Sequence, residues 1–204
     1  MRLISTPWIW LSVIVLALAD GTARCESATA AKAEAIETLT RDISLPPRAG
    51  AESLESFTGA IRLGRNSRVD GDVETGAGEL VLEPGADVGG DLSSDSGSIR
   101  IDGARVGGLV STTSGDIYIG PDSRIEGGIR VDKRNVIGLT VGDFRLGLPI
   151  GRSTPPRIVI GPRATVLAVL RFKREVKLFV SESATIGAVI GAKPVMYSTE
   201  LPPQ

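Results

Sequence analysis

The residue types in this chain best suited to chemistry are carboxylates. Asp70 and Asp72 stand two residues apart and Asp91 and Asp95 four apart, and paired acids of this kind serve carboxylate-based sugar chemistry or hold Ca²⁺ through oxygen. No histidine occurs in the 204 residues, which excludes imidazole acid-base catalysis, a Ser-His-Asp triad and His-ligated metal sites. Gly151-Arg-Ser153 and the scattered Gly-x-Gly pairs lack the spacing of a phosphate loop. Arg171-Phe-Lys-Arg174 sets one aromatic among cations. A single run without further aromatic platforms does not make a nucleic-acid surface. No residue therefore receives a catalytic, cofactor-binding or metal-ligating role, no cofactor or nucleic-acid partner is expected, and the expectation is a non-enzyme.

The elements that would position the acids follow from a repeat. Ile117, Ile119, Ile125, Gly127 and Ile129 fall on apolar or small positions, with Gly115 two residues before the first. The same five columns are filled by Ile61, Leu63, Val69, Gly71 and Val73, by Leu80, Leu82, Val88, Gly90 and Leu92, and, one residue shorter, by Ile99, Ile101, Val106, Gly108 and Val110. Later copies run through Ile158, Ile160, Val166, Ala168 and Leu170, and through Leu178, Val180, Ile186, Ala188 and Ile190. A weaker first copy holds Ile43, Leu45 and Leu54. With a distorted copy at Leu139, the starts at 43, 61, 80, 99, 117, 139, 158 and 178 are spaced by 18, 19, 19, 18, 22, 19 and 20.

Alternation within each copy is the period of a half-buried strand, and a fixed period of this length marks a solenoid. The expected fold is all-β, a single-stranded parallel β-helix of about eight rungs with a period near 19. An antiparallel sandwich also has short strands and glycine-rich turns, but it has no reason to repeat the same inward columns. Gly59, Gly78, Gly97 and Gly115 each precede a start by two residues, and suit a corner that needs positive φ or close backbone approach.

The apolar content is 42% and the aromatic content only 4%, which suits aliphatic stacks in a narrow coil. Residues 1–23 read as a secretory signal, with Arg2 as the positive start, Trp8 to Ala19 as the apolar core, and cleavage after Ala19 or Ala23. The expected destination is outside the cytoplasm, in the periplasm or envelope, with no transmembrane segment in the mature chain. Cys25 is the only cysteine, so no intrachain disulfide forms. Arg24 before it departs from the small residue of a lipidation site. Residues 24–42 are a linker or a capping helix, with Ile36, Leu39 and Ile43 at helical spacing. The solenoid spans 43–193, with an insertion at about 130–157, and Pro194 and the prolines of 201–204 end the coil in a tail.

The formal net charge of −1 hides an asymmetry. Residues 50–128 carry fourteen acids and six bases, and residues 129–178 carry eleven bases and three acids, for nets of −8 and +8. In a rod such a split steers head-to-tail encounter. Outward positions also change, from Arg62, Val81, Arg100 and Tyr118 to Val159 and Phe179, and Leu167, Val169 and Val189 stand where Asp70, Asp72 and Asp91 stood. Apolar residues on a second face need a cover, either the insertion with its Phe144 and Leu146 or a partner.

The rung G-D-I-x-I-G-x-x-S-x-I-x-G-x-I at 115–129 and its partial copies from 43 to about 190 resemble the bactofilin, or polymer-forming cytoskeletal, family. Similar S-G-D-I strings occur in adhesin-type β-solenoids of bacterial envelopes. The resemblance implies a right-handed parallel β-helix, no cofactor and end-to-end assembly without nucleotide. Bactofilins are typically cytoplasmic, whereas this chain opens on an export signal. The expectation is an exported structural or interaction solenoid whose partners are its own copies or envelope components. The alternative is a carbohydrate-binding or carbohydrate-active β-helix that uses the acidic rungs. Hexapeptide-repeat acyltransferases share I-G-x-x-x-x steps, but they depend on a His base that this chain lacks.

Overall fold

The computed structural model describes residues 35–133, 136–141, 144–149 and 154–198. Among them there is no helix, and three parallel sheets wrap one continuous apolar core. Face A runs from Ile36–Thr38 through Leu54–Ser56 and Val73–Thr75 to Leu170–Phe172 and Val189–Ile190. Face B runs from Ile43–Leu45 through Ile61–Leu63 to Lys177–Ser181 and Pro194–Tyr197. Face C runs from Gly50–Ala51 through Arg68–Val69 to Thr185–Ile186. The chain visits A, B and C in turn, making seven three-sided turns and two strands of an eighth among the described residues. This is the expected β-solenoid with its period of about 19 residues.

Short strands suffice because each turn lends its backbone to the next. The amide of Ile61 donates to Glu79 O at 2.8 Å and that of Leu80 to Ser98 O at 2.9 Å. Strict in-register pairing stacks like on like: Ile99 stands on Leu80 and under Ile117, and Ile101 between Leu82 and Ile119. Val106, Ile125 and Val166 continue the column on face C, and Leu92, Val110 and Ile129 the one on face A. The core members of these columns are almost completely buried, and each large aliphatic contributes about 1.5–3 kcal/mol.

Each corner has its own chemistry. Between faces A and B, Thr75 Oγ1 accepts the amide of Gly78 at 3.1 Å and Thr112 Oγ1 that of Gly115 at 2.9 Å. The glycines there are needed for close approach, since a Cβ on Gly97 would overlap the carbonyl of Gly78. Between B and C the left-handed conformation recurs at one position in each of the first six turns, at Arg48 (φ 61°), Asn66 (55°), Gly85 (80°), Gly103 (52°), Asp122 (56°) and Arg163 (56°). Between C and A, Gly90 donates to Gly71 O at 3.0 Å and Gly127 to Gly108 O at 3.1 Å. Gly71, Gly90, Gly108 and Gly127 are thus half-buried corner residues, not the inward column expected of them. The fifth inward column is instead Ser56, Thr75, Ser94, Thr112, Val131 and Phe172, all buried.

Several boundaries differ from expectation. Leu139 starts no rung: Ile117 pairs directly with Ile158, and Val136–Val141 and Phe144–Pro149 form a separate antiparallel pair. Alternating apolar residues fit a hairpin as well as a rung, which is why Leu139-Thr-Val-Gly142 imitates one. The capping helix expected within 24–42 is, at Ile36–Thr38, the first strand of face A, in register with Leu54–Ser56. Its earlier part, Cys25 and the signal at 1–23 lie outside the described residues. Pro194 opens the last strand of face B and does not end the coil. A proline is tolerated at the first residue of an edge strand because no ladder donor is lost from the interior. In the last turn Val189, not Ile190, takes the inward column, because one residue fewer separates it from Ile186.

Candidate interaction surfaces

The four acids that could have formed a carbohydrate site are not brought together into one. Asp72 Oδ1 accepts the amide of Asp91 at 2.7 Å, and Asp91 Oδ1 the amide of Leu109 at 2.7 Å. Asp42 does the same for Ala60 at 2.8 Å and Asp116 for Arg157 at 2.8 Å. These carboxylates cap backbone donors that turn a corner. Asp70 pairs with Arg68 at 2.6 Å. Asp95 lies on another face, in a shallow groove of about 200 Å³ with Glu55, Phe57 and Glu74. Among the described residues no cluster of acids or Cys has the arrangement of a metal site.

Face C carries an alternating ladder of charge. Arg105 reaches Asp87 at 2.8 Å and Glu126 at 3.3 Å, and Arg124 reaches Glu126 at 3.1 Å. Hydrogen bonds from Arg124 and Arg105 hold the Glu126 carboxyl below its usual range. At the next corner Arg163 grips Asp122 with two bonds of 2.7 and 2.8 Å and holds it low in the same way. These pairs are exposed and each adds little to stability.

Face A treats its charges differently. Its outward column reads Glu37, Glu55, Glu74, Ser93, Ser111, Arg130, Arg171 and Ile190, each directly opposite the next. Like charges directly opposite across strands are unfavourable. Neither the three glutamates nor the two arginines make an ion pair among the described residues.

Face B turns apolar late, as its sequence indicates. Tyr118, Val159, Phe179 and Val195 stack in one outward column. The Arg100 guanidinium lies 5.0 Å from the Tyr118 ring centre and that of Arg157 4.9 Å from Phe179, and Val159 is buried. A groove of about 500 Å³ runs past Arg100, Tyr118 and Val159. Whether Phe144 and Leu146 of the insertion cover this face lies outside the described residues, which give only the backbone there.

The two ends present strand edges with no neighbour among the described residues. At the first turn Ile43 and Leu45 are buried. At the last, Met196, in line with the core column of Ile160 and Val180, is 52% exposed, with Val195 and Ile190 exposed beside it. Tyr197 folds inward there, buried, and its hydroxyl donates to Ile160 O at 3.0 Å.

Sequence reasoning overlooked the capping role of Asp42, Asp72 and Asp91 and the ladder of face A. The second had a signal: Glu37, Glu55, Glu74, Ser93 and Ser111 each precede a rung start by six residues. No helix among the described residues is long and apolar enough to cross a membrane. No protein-family model matches the chain, and no curated protein or solved structure gives a match either.

Proposed function

We propose that this chain is a non-enzymatic structural module that assembles through the ends of its solenoid. The observation that carries this reading is the last turn, where Val189–Ile190 and Pro194–Tyr197 offer parallel edges that are unpaired among the described residues, beside exposed Met196, Val195 and Ile190. Open strand edges flanked by apolar side chains template further strands unless they are blocked. Ile36–Thr38 and Ile43–Leu45 present the complementary kind of edge at the opposite end. The likeness of the 115–129 rung to bactofilins supports the same reading, and the signal-like residues 1–23 favour a place in the bacterial envelope.

Sedimentation of the purified chain from residue 24 onward, with electron microscopy of pelleted material, tests it. Rods or filaments that disappear with Val195→Lys/Met196→Lys are expected. A wild type that stays monomeric at high concentration would sink end-to-end assembly.

A further inference from the structure

We infer that face A is a self-complementary docking surface, on which two copies lie antiparallel so that Glu55 and Glu74 of each meet Arg171 and Arg130 of the other. The inference needs no end contact and stands apart from assembly through the terminal turns. It comes from the order of one column. Read along the solenoid, the outward residues of face A run Glu37, Glu55, Glu74, Ser93, Ser111, Arg130, Arg171, Ile190. Laid against its own reverse, Glu55 falls opposite the partner's Arg171, Glu74 opposite the partner's Arg130, and Ser93 opposite the partner's Ser111. A two-fold axis parallel to the strands, passing between Ser93 and Ser111, generates this arrangement, and an isologous contact closes as a dimer.

Both copies obey the same rung spacing of about 4.8 Å, so aligning one charge pair aligns all four. The adjoining column agrees. Phe57, which is 68% exposed, falls opposite the partner's Lys173, whose ammonium pairs with Asp132 of its own chain at 2.6 Å and would set its cation near the ring. Asp95 falls opposite the partner's Thr113, and no like charges meet. A parallel arrangement would instead set glutamate on glutamate and arginine on arginine.

The chain pairs its charges within a face where that is useful, as Arg68, Asp87, Arg105, Glu126 and Arg124 do on face C. In the central outward column of face A, beside the Lys173–Asp132 pair of 2.6 Å, it keeps three acids stacked at one end and two bases at the other. That arrangement disfavours the monomer and becomes favourable on docking. A divalent cation on the glutamates would account for one end only and leave Arg130 and Arg171 unexplained.

Eight turns at about 4.8 Å by a strand about 10 Å wide give a contact of roughly 400 Å² per copy. This is about half the per-partner area of a standard interface, so the dimer is weak and sensitive to salt.

Sedimentation velocity of the full chain at low and high salt tests the inference, with Glu55→Arg/Glu74→Arg and Arg130→Glu/Arg171→Glu run alone and mixed. All the altered positions are exposed, and thermal melts confirm that each variant folds. With the ends blocked by Met196→Lys, the chain is expected to form a finite dimer whose dissociation constant rises about tenfold or more at high salt. Each variant alone loses the dimer, and the equimolar mixture regains it. Met196→Lys in every chain, which blocks the ends, leaves the dimer intact, so failure of end-to-end assembly and failure of this contact are told apart. A wild type monomeric at low salt, a mixture that stays monomeric, association removed by Met196→Lys but not by the charge reversals, or Ca²⁺-dependent association indifferent to Arg130→Glu/Arg171→Glu would each overturn it.

Discussion

Asp72 and Asp91 are joined by a hydrogen bond of 2.7 Å that runs from the amide of Asp91 to the carboxylate of Asp72. It satisfies a donor at the corner where face C gives way to face A, and Asp91 repeats it on Leu109. Asp72→Ala leaves that amide with water alone and is expected to cost about 1–2 kcal/mol in urea unfolding. Asp72→Asn keeps an acceptor oxygen and costs less. Equal losses for both would show that charge, not the acceptor, matters. A glycan-binding role for the acidic turns is therefore better tested with Asp70→Asn, whose carboxylate faces the exposed Arg68.

Gly97 packs against the backbone of Gly78, where an added methyl would overlap the carbonyl oxygen. Backbone cannot step aside as a side chain can. Gly97→Ala is expected to lose about 3 kcal/mol or more, seen as a large drop in melting temperature or failure to fold. Gly76→Ala, which meets Phe57 O at 2.5 Å but lies at an outward, half-exposed position, is expected to cost less.

Ile125 is fully buried between Val106 and Val166. Ile125→Asp places an unpaired carboxylate in that stack and is expected to cost several kcal/mol, enough to abolish cooperative unfolding. Arg62→Asp, on the outward side of face B, changes stability by less than about 0.5 kcal/mol. A similar melt for both would overturn the column assignment.

Those columns were legible because period-2 burial and parallel stacking leave a direct trace: Ile61, Leu80, Ile99 and Ile117 are alike because each is the next one's neighbour. The trace fails where the neighbour is backbone. Gly71 and Gly127 recur because carbonyls pass close to them, which composition cannot distinguish from a small inward residue. It fails again where two architectures share a period, as at Leu139, whose strand pairs with its own hairpin partner Leu146. The polar column of Ser56, Thr75, Ser94 and Thr112 leaves no apolar trace in the sequence, because its hydroxyls fill the inward position by bonding to corner backbone. The face A ladder was visible in fixed offsets. Its meaning needed the register, since only stacking shows that Glu55 and Glu74 touch the same side.

Among the described residues, the insertion between Ile129–Val131 and Arg157–Ile160 contributes no strand to the three faces. Other turns cross from face A to face B in about the span of Thr112 to Ile117. Replacing residues 134–154 with a short Gly-Ser linker is expected to leave a cooperative melt, because Ile129 and Ile158 keep Val110 and Ile117 as neighbours. Loss of the folded state would show that the hairpin covers face B in an essential way.

Tyr197 gives the last turn a dependence on alkaline pH. Burial first, and the nearby Tyr118 second, raise its hydroxyl above the ordinary tyrosine value. The folded chain therefore holds this proton to a higher pH than the unfolded chain does. Stability is complete below about pH 10, the unfolded tyrosine value, and is lost as pH climbs from there toward the raised folded value. The anion also cannot donate to Ile160 O, so ionisation breaks the bond that anchors the strand. Tyr197→Phe is expected to lower stability by about 1 kcal/mol at neutral pH, by removing the hydroxyl bond to the Ile160 carbonyl, and to flatten the decline above pH 10. Urea melts of both chains between neutral and alkaline pH make the comparison, and an equally steep decline in Tyr197→Phe would assign the effect to another group.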